Sequence, residues 1–386
     1  MNTIKLETKY QLPTYQKFPL VINKGKGCYV WDENENKYLD FYGGHAVALV
    51  GHCHPAIIKA VSKQLDKLIF YSNVVYNQQR ALAAKSLINL TKGKFASVFF
   101  CNSGTEANET ALKLAKKYTK KDEIISFIGS FHGRTIGSLS ITGLEKYHKE
   151  VGSLMPNVKF AQLGNIESVR KLITKNTAAI ILEPIQSIGG INEANPKFYI
   201  ELKQLCLKNN IVLIFDEMQT GLGRTGKLFY GDHYQIVPDI ITIAKGVAGG
   251  LPAGIVFVSK KILESVKVND QGSTFGGGPV ICAAIVATIK TIEEKHLADN
   301  ANKLGNLLIK ETSKLPHVIK VHGKGLLLGI ELNIPAKKVQ IELLNKKIIT
   351  GTSSNPQVLR IMPPLIITKN ETLLFIKKLS SVLKNL

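Results

Sequence analysis

The chain has 386 residues, 45% hydrophobic and 20% charged, a balance that excludes a disordered tail and fits a globular protein of two or more domains. The net charge of +21 comes from 50 basic and 29 acidic residues. Only five of the basic residues are arginines (Arg80, Arg134, Arg170, Arg224, Arg360), and the lysines are scattered among Ile and Asn, which reads as compositional bias and not as a nucleic-acid-binding face. No basic stripe alternates with aromatics and no apolar run reaches the ~20 residues of a membrane span, so neither nucleic acid nor membrane is expected as a partner.

The start, MNTIKLETKYQLPTYQK, lacks the apolar core of a signal peptide, and a cytoplasmic location is expected. Residues 28–31 and 37–41 read as paired strands across an Asp-Glu-Asn turn. Short β-branched runs at 97–101, 123–127, 178–182, 211–215, 240–244 and 255–258 alternate with helical patterns such as 106–118 and 197–209. That alternation predicts an α/β architecture around a mostly parallel, buried sheet. From about Pro279 long helical stretches follow (280–295, 299–315), then one glycine-punctuated strand at 323–332 and a final helix from Glu371. The expected division is an N-terminal segment 1–50 packing with the small domain, a large domain 51–280 and a C-terminal small domain 281–386. The five cysteines (Cys28, Cys53, Cys101, Cys206, Cys282) show no CxxC pair and read as small, mostly buried residues.

In open α/β sheets ligands gather at the carboxyl ends of strands, so the residues just past each apolar run carry the most information. After the first run comes Asn102-Ser103-Gly104-Thr105-Glu106-Ala107-Asn108 and then a helix. This reads either as a phosphate cradle at a helix amino end or as a plain N-cap. After 123–127 comes Ser130-Phe131-His132-Gly133-Arg134-Thr135, with a turn aromatic beside a scarce arginine. After 211–215 comes Asp216-Glu217-Met218-Gln219, then Gly221-Leu222-Gly223-Arg224-Thr225-Gly226-Lys227. The glycine run imitates dinucleotide and P-loop motifs but opens no amphipathic helix, so those readings fail on context. Asp216, an acid ending an apolar strand, needs a cationic partner. After 240–244 comes Lys245, a lysine at the end of a buried strand. Desolvation lowers such a group's pKa and makes it a nucleophile or base, unless it snorkels out at a sheet edge.

Taken together, NSGTEAN (102–108), SFHGRT (130–135), DEMQTGLGRTG (216–226), IAKG (243–246), GSTFGG (272–277) and RIMPPL (360–365) resemble the class III, or ω-amino-acid, aminotransferases. Within that family the chain looks like the acetylornithine aminotransferases, from about Tyr15 to its end. The resemblance implies a fold-type I transferase that binds pyridoxal 5′-phosphate (PLP), with a large domain and a smaller α+β domain. It implies that Lys245 holds the cofactor covalently and moves protons, and that Asp216 pairs with the pyridine nitrogen. Gln219 would reach the phenolic oxygen, with Glu217 beside it in the cofactor-binding motif. Phe131 and Met218 would sandwich the ring, and Ser103, Gly104 and Thr105 would bind the phosphate. Ser273 and Thr274 would complete that site from a second subunit, which implies a homodimer with shared active sites, and Ser273 also counts among the substrate contacts.

Arg134 and Arg360 look like two carboxylate clamps, and Tyr15 aligns with a residue that touches an acylornithine substrate. The implied reaction moves the terminal amino group of an N-acylornithine to 2-oxoglutarate, giving glutamate and a semialdehyde. Ornithine, 4-aminobutyrate and acylated lysine intermediates stay open as substrates, and an idle or nucleic-acid-binding protein on this fold is the remote alternative. Where relatives read EPIQGEGG, the chain has Glu183-Pro184-Ile185-Gln186-Ser187-Ile188-Gly189-Gly190, so the acid that masks the second clamp in some relatives is Ile188. FGGNP is Phe275-Gly276-Gly277-Gly278-Pro279 and DEVQ is DEMQ. His45, His52 and His54 fall in a family segment without a metal, so none is expected. Arg80 and Arg170 read as surface residues.

Overall fold

A computed structural model describes residues 2–386. After a helix at Thr3–Tyr10 come β1 (Ile22–Lys26), β2 (Tyr29–Asp32) and β3 (Lys37–Asp40), successive strands pairing antiparallel. Asp32 organises the β2–β3 turn, its carboxylate accepting the amides of Asn34 (3.0 Å) and Asn36 (2.9 Å) that the tight bend leaves without a ladder partner.

The middle of the chain supplies β4 (Ser97–Cys101), β5 (Glu123–Phe127), β6 (Val158–Ala161), β7 (Thr177–Leu182), the two-residue β8 (Ile185–Gln186) and β9 (Asn192–Glu193), then β10 (Val212–Asp216), β11 (Ile240–Ile243) and β12 (Gly254–Val258). Seven of these form one sheet in the order β4-β12-β11-β10-β7-β5-β6. Only β12 runs against its neighbours; the other pairings are parallel. Every residue of β7, β10, β11 and β12 is buried, which is why these runs are almost wholly apolar, Thr177, Thr242 and the strand-end Asp216 aside, and do not alternate.

Register aligns the functional ends. Cys101 of β4 lies opposite Gly254, Ile255 opposite Ile243, and Thr242 opposite Asp216. The carboxyl ends of β4, β11 and β10 therefore share one rim, and the segments at 102–105, 216–219 and 245–253 emerge side by side. The helix Gly104–Thr119 starts at that rim, capped by Ser103 Oγ, which accepts the Glu106 amide at 3.2 Å.

In the C-terminal part the helix Pro279–Glu294 packs on the helices Pro55–Leu65 and Gln78–Leu90. The helix Leu297–Thr312 follows, then β13 (Val318–Lys324), β14 (Leu327–Leu332), β15 (Ile348–Ile349), β16 (Gly351–Thr352), β17 (Val358–Ile361) and the helix Lys369–Leu383. The single strand expected at 323–332 is a hairpin, β13 pairing antiparallel with β14. Gly325 makes the turn with a φ of 54°, a left-handed conformation open to glycine without cost.

β13, β14, β17 and β16 form a second sheet, while β15 joins β3 in parallel, Ile348 opposite Leu39. Just past β3, Phe41 stacks on Phe375 of the last helix at 4.0 Å, an aromatic pair contributing about 1 kcal/mol beyond its burial. Among the described residues no helix is long and apolar enough to cross a membrane. Cys28, Cys101, Cys206 and Cys282 are buried, and Cys53 is exposed.

Candidate active site

The rim opens into a cavity of 410 Å³ lined by Ser103, Gly104, Thr105, Phe131, His132, Glu183, Asp216, Met218, Gln219 and Lys245, among others. Five separate strand ends, those of β4, β5, β7, β10 and β11, deliver these side chains. The amides of Gly104 and Thr105 open a helix and have no intrahelical acceptor, so they point positive charge into the cavity. A Cβ at Gly104 would come 2.9 Å from Met218 Sδ, and one at Gly133 would collide with the Thr105 hydroxyl. Glycine at both positions keeps this end of the cavity open.

Asp216 is 2% exposed, and its carboxylate is held on several sides. Oδ2 lies 2.7 Å from His132 Nδ1 and accepts from Asn108 Nδ2 at 2.8 Å; Oδ1 accepts the Met218 amide at 3.1 Å. Asn108 is fixed in turn by Thr242, whose hydroxyl donates to its carbonyl at 2.7 Å. Such a frame holds an anion in place without rotational freedom.

Lys245 stands at the start of a short 3-10 turn with a φ of 49°. A non-glycine residue in that region costs about 1 kcal/mol or more, and such strain gathers at functional positions. Burial pushes its ammonium below the usual lysine range, against the pull of Asp216 and Glu183 toward the charged form. Glu183 also lines the cavity. Its carboxylate accepts the amides of Phe131 (2.7 Å) and Ser187 (3.3 Å), and burial raises its pKa to about 7.

Arg134 and Arg360, the two arginines expected as carboxylate clamps, are not among the residues that line this cavity. Arg360 is 4% exposed on β17; its Nε donates to Thr352 O at 2.6 Å and its Nη1 to Ser187 Oγ at 3.0 Å. Burial lowers its pKa. Arg134 is exposed, with its guanidinium carbon 3.8 Å from the Tyr147 ring centre and 5.6 Å from that of Phe131. Tyr15 is 71% exposed and lines a second cavity of 940 Å³ with Tyr42, His45 and Thr352. Tyr42 connects the two regions, its ring centre 5.9 Å from the Arg360 guanidinium.

Several expectations need correction. Glu217 does not face the cavity. Successive residues at a strand end point to opposite sides, so Glu217 turns away from Asp216 and accepts the Tyr230 amide (2.8 Å) and the Thr220 hydroxyl (3.1 Å), with burial raising its pKa to about 8. Arg80 is not a free surface residue: its Nε donates to Gly277 O at 2.9 Å and its Nη1 to Val75 O at 3.1 Å, tying two loops. Arg170 is exposed, in an ion pair with Glu167 at 3.0 Å.

Ser273 and Thr274 do not line the cavity of their own chain. Ser273 Oγ accepts from Asn102 Nδ2 at 3.2 Å, and Thr274 is exposed. Arg224 is 1% exposed, and its Nη1 donates to Leu326 O (3.1 Å) and to Pro363 O, a strut between the glycine loop and the C-terminal sheet. The histidine segment serves structure: His52 Nε2 lies 2.8 Å from Asp40, and His54 caps the helix Pro55–Leu65.

His132, Asn108, Glu183, Ser187, Tyr42 and Tyr147 are the site residues that sequence reasoning missed. His132, Asn108, Glu183 and Ser187 all sit inside the strand-end segments that the sequence singles out, so a signal for them was present; Tyr42 and Tyr147 depend on contacts between distant segments.

An anion-binding helix end, a braced carboxylate and a desolvated lysine around one cavity suit a phosphorylated pyridine aldehyde. The fold and this pocket define a PLP-dependent transferase of fold type I. Residues 10–383 match the model of the family aminotransferase class-III, and the chain belongs to that family. It is 41% identical over 379 residues, 95% of each chain, to an acetylornithine aminotransferase of Caldanaerobacter subterraneus subsp. tengcongensis. It is 38% identical to ornithine aminotransferase 1 of Staphylococcus saprophyticus, over 97% of this chain and 98% of that one. The ornithine aminotransferase of Toxoplasma gondii, crystallised with PLP partly occupying its active site, superposes with a TM-score of 0.93 at 30% identity, covering 99% of this chain and 94% of that one.

Proposed function

We propose that the chain is an acetylornithine aminotransferase, moving the terminal amino group of N-acetylornithine or a related N-acylornithine to 2-oxoglutarate in arginine biosynthesis in the cytoplasm. The observation that carries the reading is the meeting of Lys245 and Asp216 in one cavity, with the buried guanidinium of Arg360 one hydrogen-bonded residue beyond Gln219. The resemblance to acetylornithine aminotransferases over nearly the whole chain supports the substrate.

PLP, when bound, supplies the electron sink for the carbanion formed at the substrate carbon. Lys245 would hold the cofactor covalently and, once displaced by substrate, would move the proton between the substrate carbon and the cofactor's C4′ carbon, a task suited to an amine whose pKa burial has lowered. Asp216 keeps a proton on the pyridine nitrogen, with His132 and Asn108 holding the carboxylate in position. The Gln219 amide would reach the phenolic oxygen, Phe131 and Met218 would flank the ring, and Ser103, Gly104 and Thr105 would hold the phosphate; all six line the cavity. Arg360 and Arg134 grip the two carboxylates of glutamate, for which the fork of a guanidinium is suited and an ammonium is not. Tyr15 meets the acyl end of the larger substrate.

The working form is a homodimer with shared sites. Thr274 and Ser273 sit on a loop beside Phe275, which is 63% exposed and meets Phe70 at 5.1 Å. Val74 (82% exposed) and Tyr76 extend the same apolar face, an area of the kind monomers keep covered.

The test is an absorbance spectrum of the purified protein before and after glutamate, then N-acetylornithine. A visible cofactor band that each amine donor bleaches and 2-oxoglutarate restores supports the reading. Bleaching by ornithine or 4-aminobutyrate at much lower concentration than by N-acetylornithine would reassign the substrate.

A further inference from the structure

The hydroxyl of Ser187 is fully buried between two groups of the site. Arg360 Nη1 donates to it at 3.0 Å, and it donates to Gln219 Oε1 at 3.0 Å. A guanidinium can only donate, so the single hydrogen of the hydroxyl is left for an acceptor. The other acceptor within reach, Met362 Sδ at 3.9 Å, is long and weak. The carbonyl end of Gln219 is thereby held toward Ser187, and its amino end is left to face the cavity that Gln219 lines. Arg360 has only neutral acceptors here, Thr352 O and Ser187 Oγ, so its charge stays available to a carboxylate. Isoleucine at the next position brings no anion to compete for it.

We propose that Ser187 is a positioning residue that couples the carboxylate clamp to the cofactor: one hydroxyl orients Arg360 for a dicarboxylate and the Gln219 amide as a donor toward the cofactor's phenolic oxygen. The chain of donors runs in one direction, from Arg360 through Ser187 to Gln219. Removing the hydroxyl leaves Arg360 short of an acceptor and lets the Gln219 amide turn over, presenting its carbonyl oxygen to an oxyanion. The two sites, one for the substrate's far carboxylate and one for the cofactor, are then set independently. This inference rests on the function proposed above.

The experiment compares wild-type holoenzyme with Ser187→Gly and Ser187→Thr. Two quantities are read without turnover: the Kd of glutarate, a non-reacting dicarboxylate, and the pH midpoint of the visible cofactor band. Ser187→Gly is expected to weaken glutarate binding about tenfold, the effect of one lost charge-assisted hydrogen bond. It is also expected to raise the spectral midpoint by about half a unit, because the deprotonated form loses a donor at the phenolic oxygen. Ser187→Thr, which keeps the hydroxyl, is expected to restore both. A merely structural role would lower thermal stability and move neither. If the wild-type band is normal and either quantity in Ser187→Gly stays at the wild-type value, the coupling is overturned while the assigned function stands. A wild-type chain that takes up no PLP would overturn both.

Discussion

His132 Nδ1 lies 2.7 Å from Asp216 Oδ2, both side chains at most 1% exposed. The pair joins the turn after β5 to the end of β10, and it makes the carboxylate's orientation a property of the fold and not of the strand alone. Asp216→Asn keeps the shape but removes the anion. It is expected to leave the fold intact and reduce transamination about a thousandfold, since the ring nitrogen no longer holds its proton. Single-turnover rates with glutamate check this, and near-normal turnover would exclude the assigned role.

Arg360 makes two directed hydrogen bonds from a planar fork, to Thr352 O and Ser187 Oγ. Arg360→Lys keeps the charge and loses the fork. The glutamate half-reaction, which needs both clamps, is expected to fall ten- to a hundredfold, or about 1.5–3 kcal/mol, and the N-acetylornithine half-reaction by much less. Equal losses in the two single-turnover measurements would refute this division of labour.

Ile188 follows Ser187 directly, and its carbonyl accepts the Ser354 amide and hydroxyl, each at 2.8 Å. Ile188→Glu places an anion near a guanidinium that has only neutral acceptors. Glutamate binding is expected to weaken about tenfold while discrimination for the ω-amine improves. A ratio of steady-state constants for glutamate and N-acetylornithine unchanged within about twofold would mean that Arg360 is not gated from this position.

Shared sites predict complementation. Lys245→Ala subunits lack the covalent anchor, and Thr274→Asp subunits carry a negative charge into the partner's phosphate site. Each homodimer is expected to be inactive. Refolding an equimolar mixture is expected to recover about a quarter of wild-type activity, because half of the dimers are hybrids with one intact site each. No recovery would argue that each chain builds its site alone.

His233 is half-buried, its Nε2 3.1 Å from the Thr225 hydroxyl, and burial lowers its pKa to about 4 from 6.5. The unfolded chain takes up a proton below about pH 6.5 that the folded one refuses until about pH 4, so stability is full above that window and falls as pH drops through it. After solvent screening the contribution is about 1 kcal/mol. His233→Asn is expected to flatten that part of the unfolding profile, and urea midpoints at pH 7 and pH 5 measure it. An identical pH slope in both proteins would show that His233 is not the linked group.

Local patterning carried much of this protein. The buried strands announce themselves as unbroken apolar runs because water reaches neither face of the central sheet, and strand-end Asp216, Lys245 and the turn at Ser103–Thr105 stand out against those runs. What local pattern does not contain is register and direction. That Asp216 and Lys245 share a cavity follows from β10 and β11 being adjacent, parallel and aligned Asp216 to Thr242. Glu217 reads like its neighbour but points the other way, where the Tyr230 amide and the Thr220 hydroxyl give its carboxylate partners. The hairpin at Gly325, the loops tied by Arg80 and the bridge from Arg360 through Ser187 to Gln219 join residues from 32 to 197 positions apart or depend on a backbone turn that composition does not specify. Such contacts exist only once the sheet has brought its strand ends level, because a hydrogen bond is set by distance and angle in space and not by position along the chain.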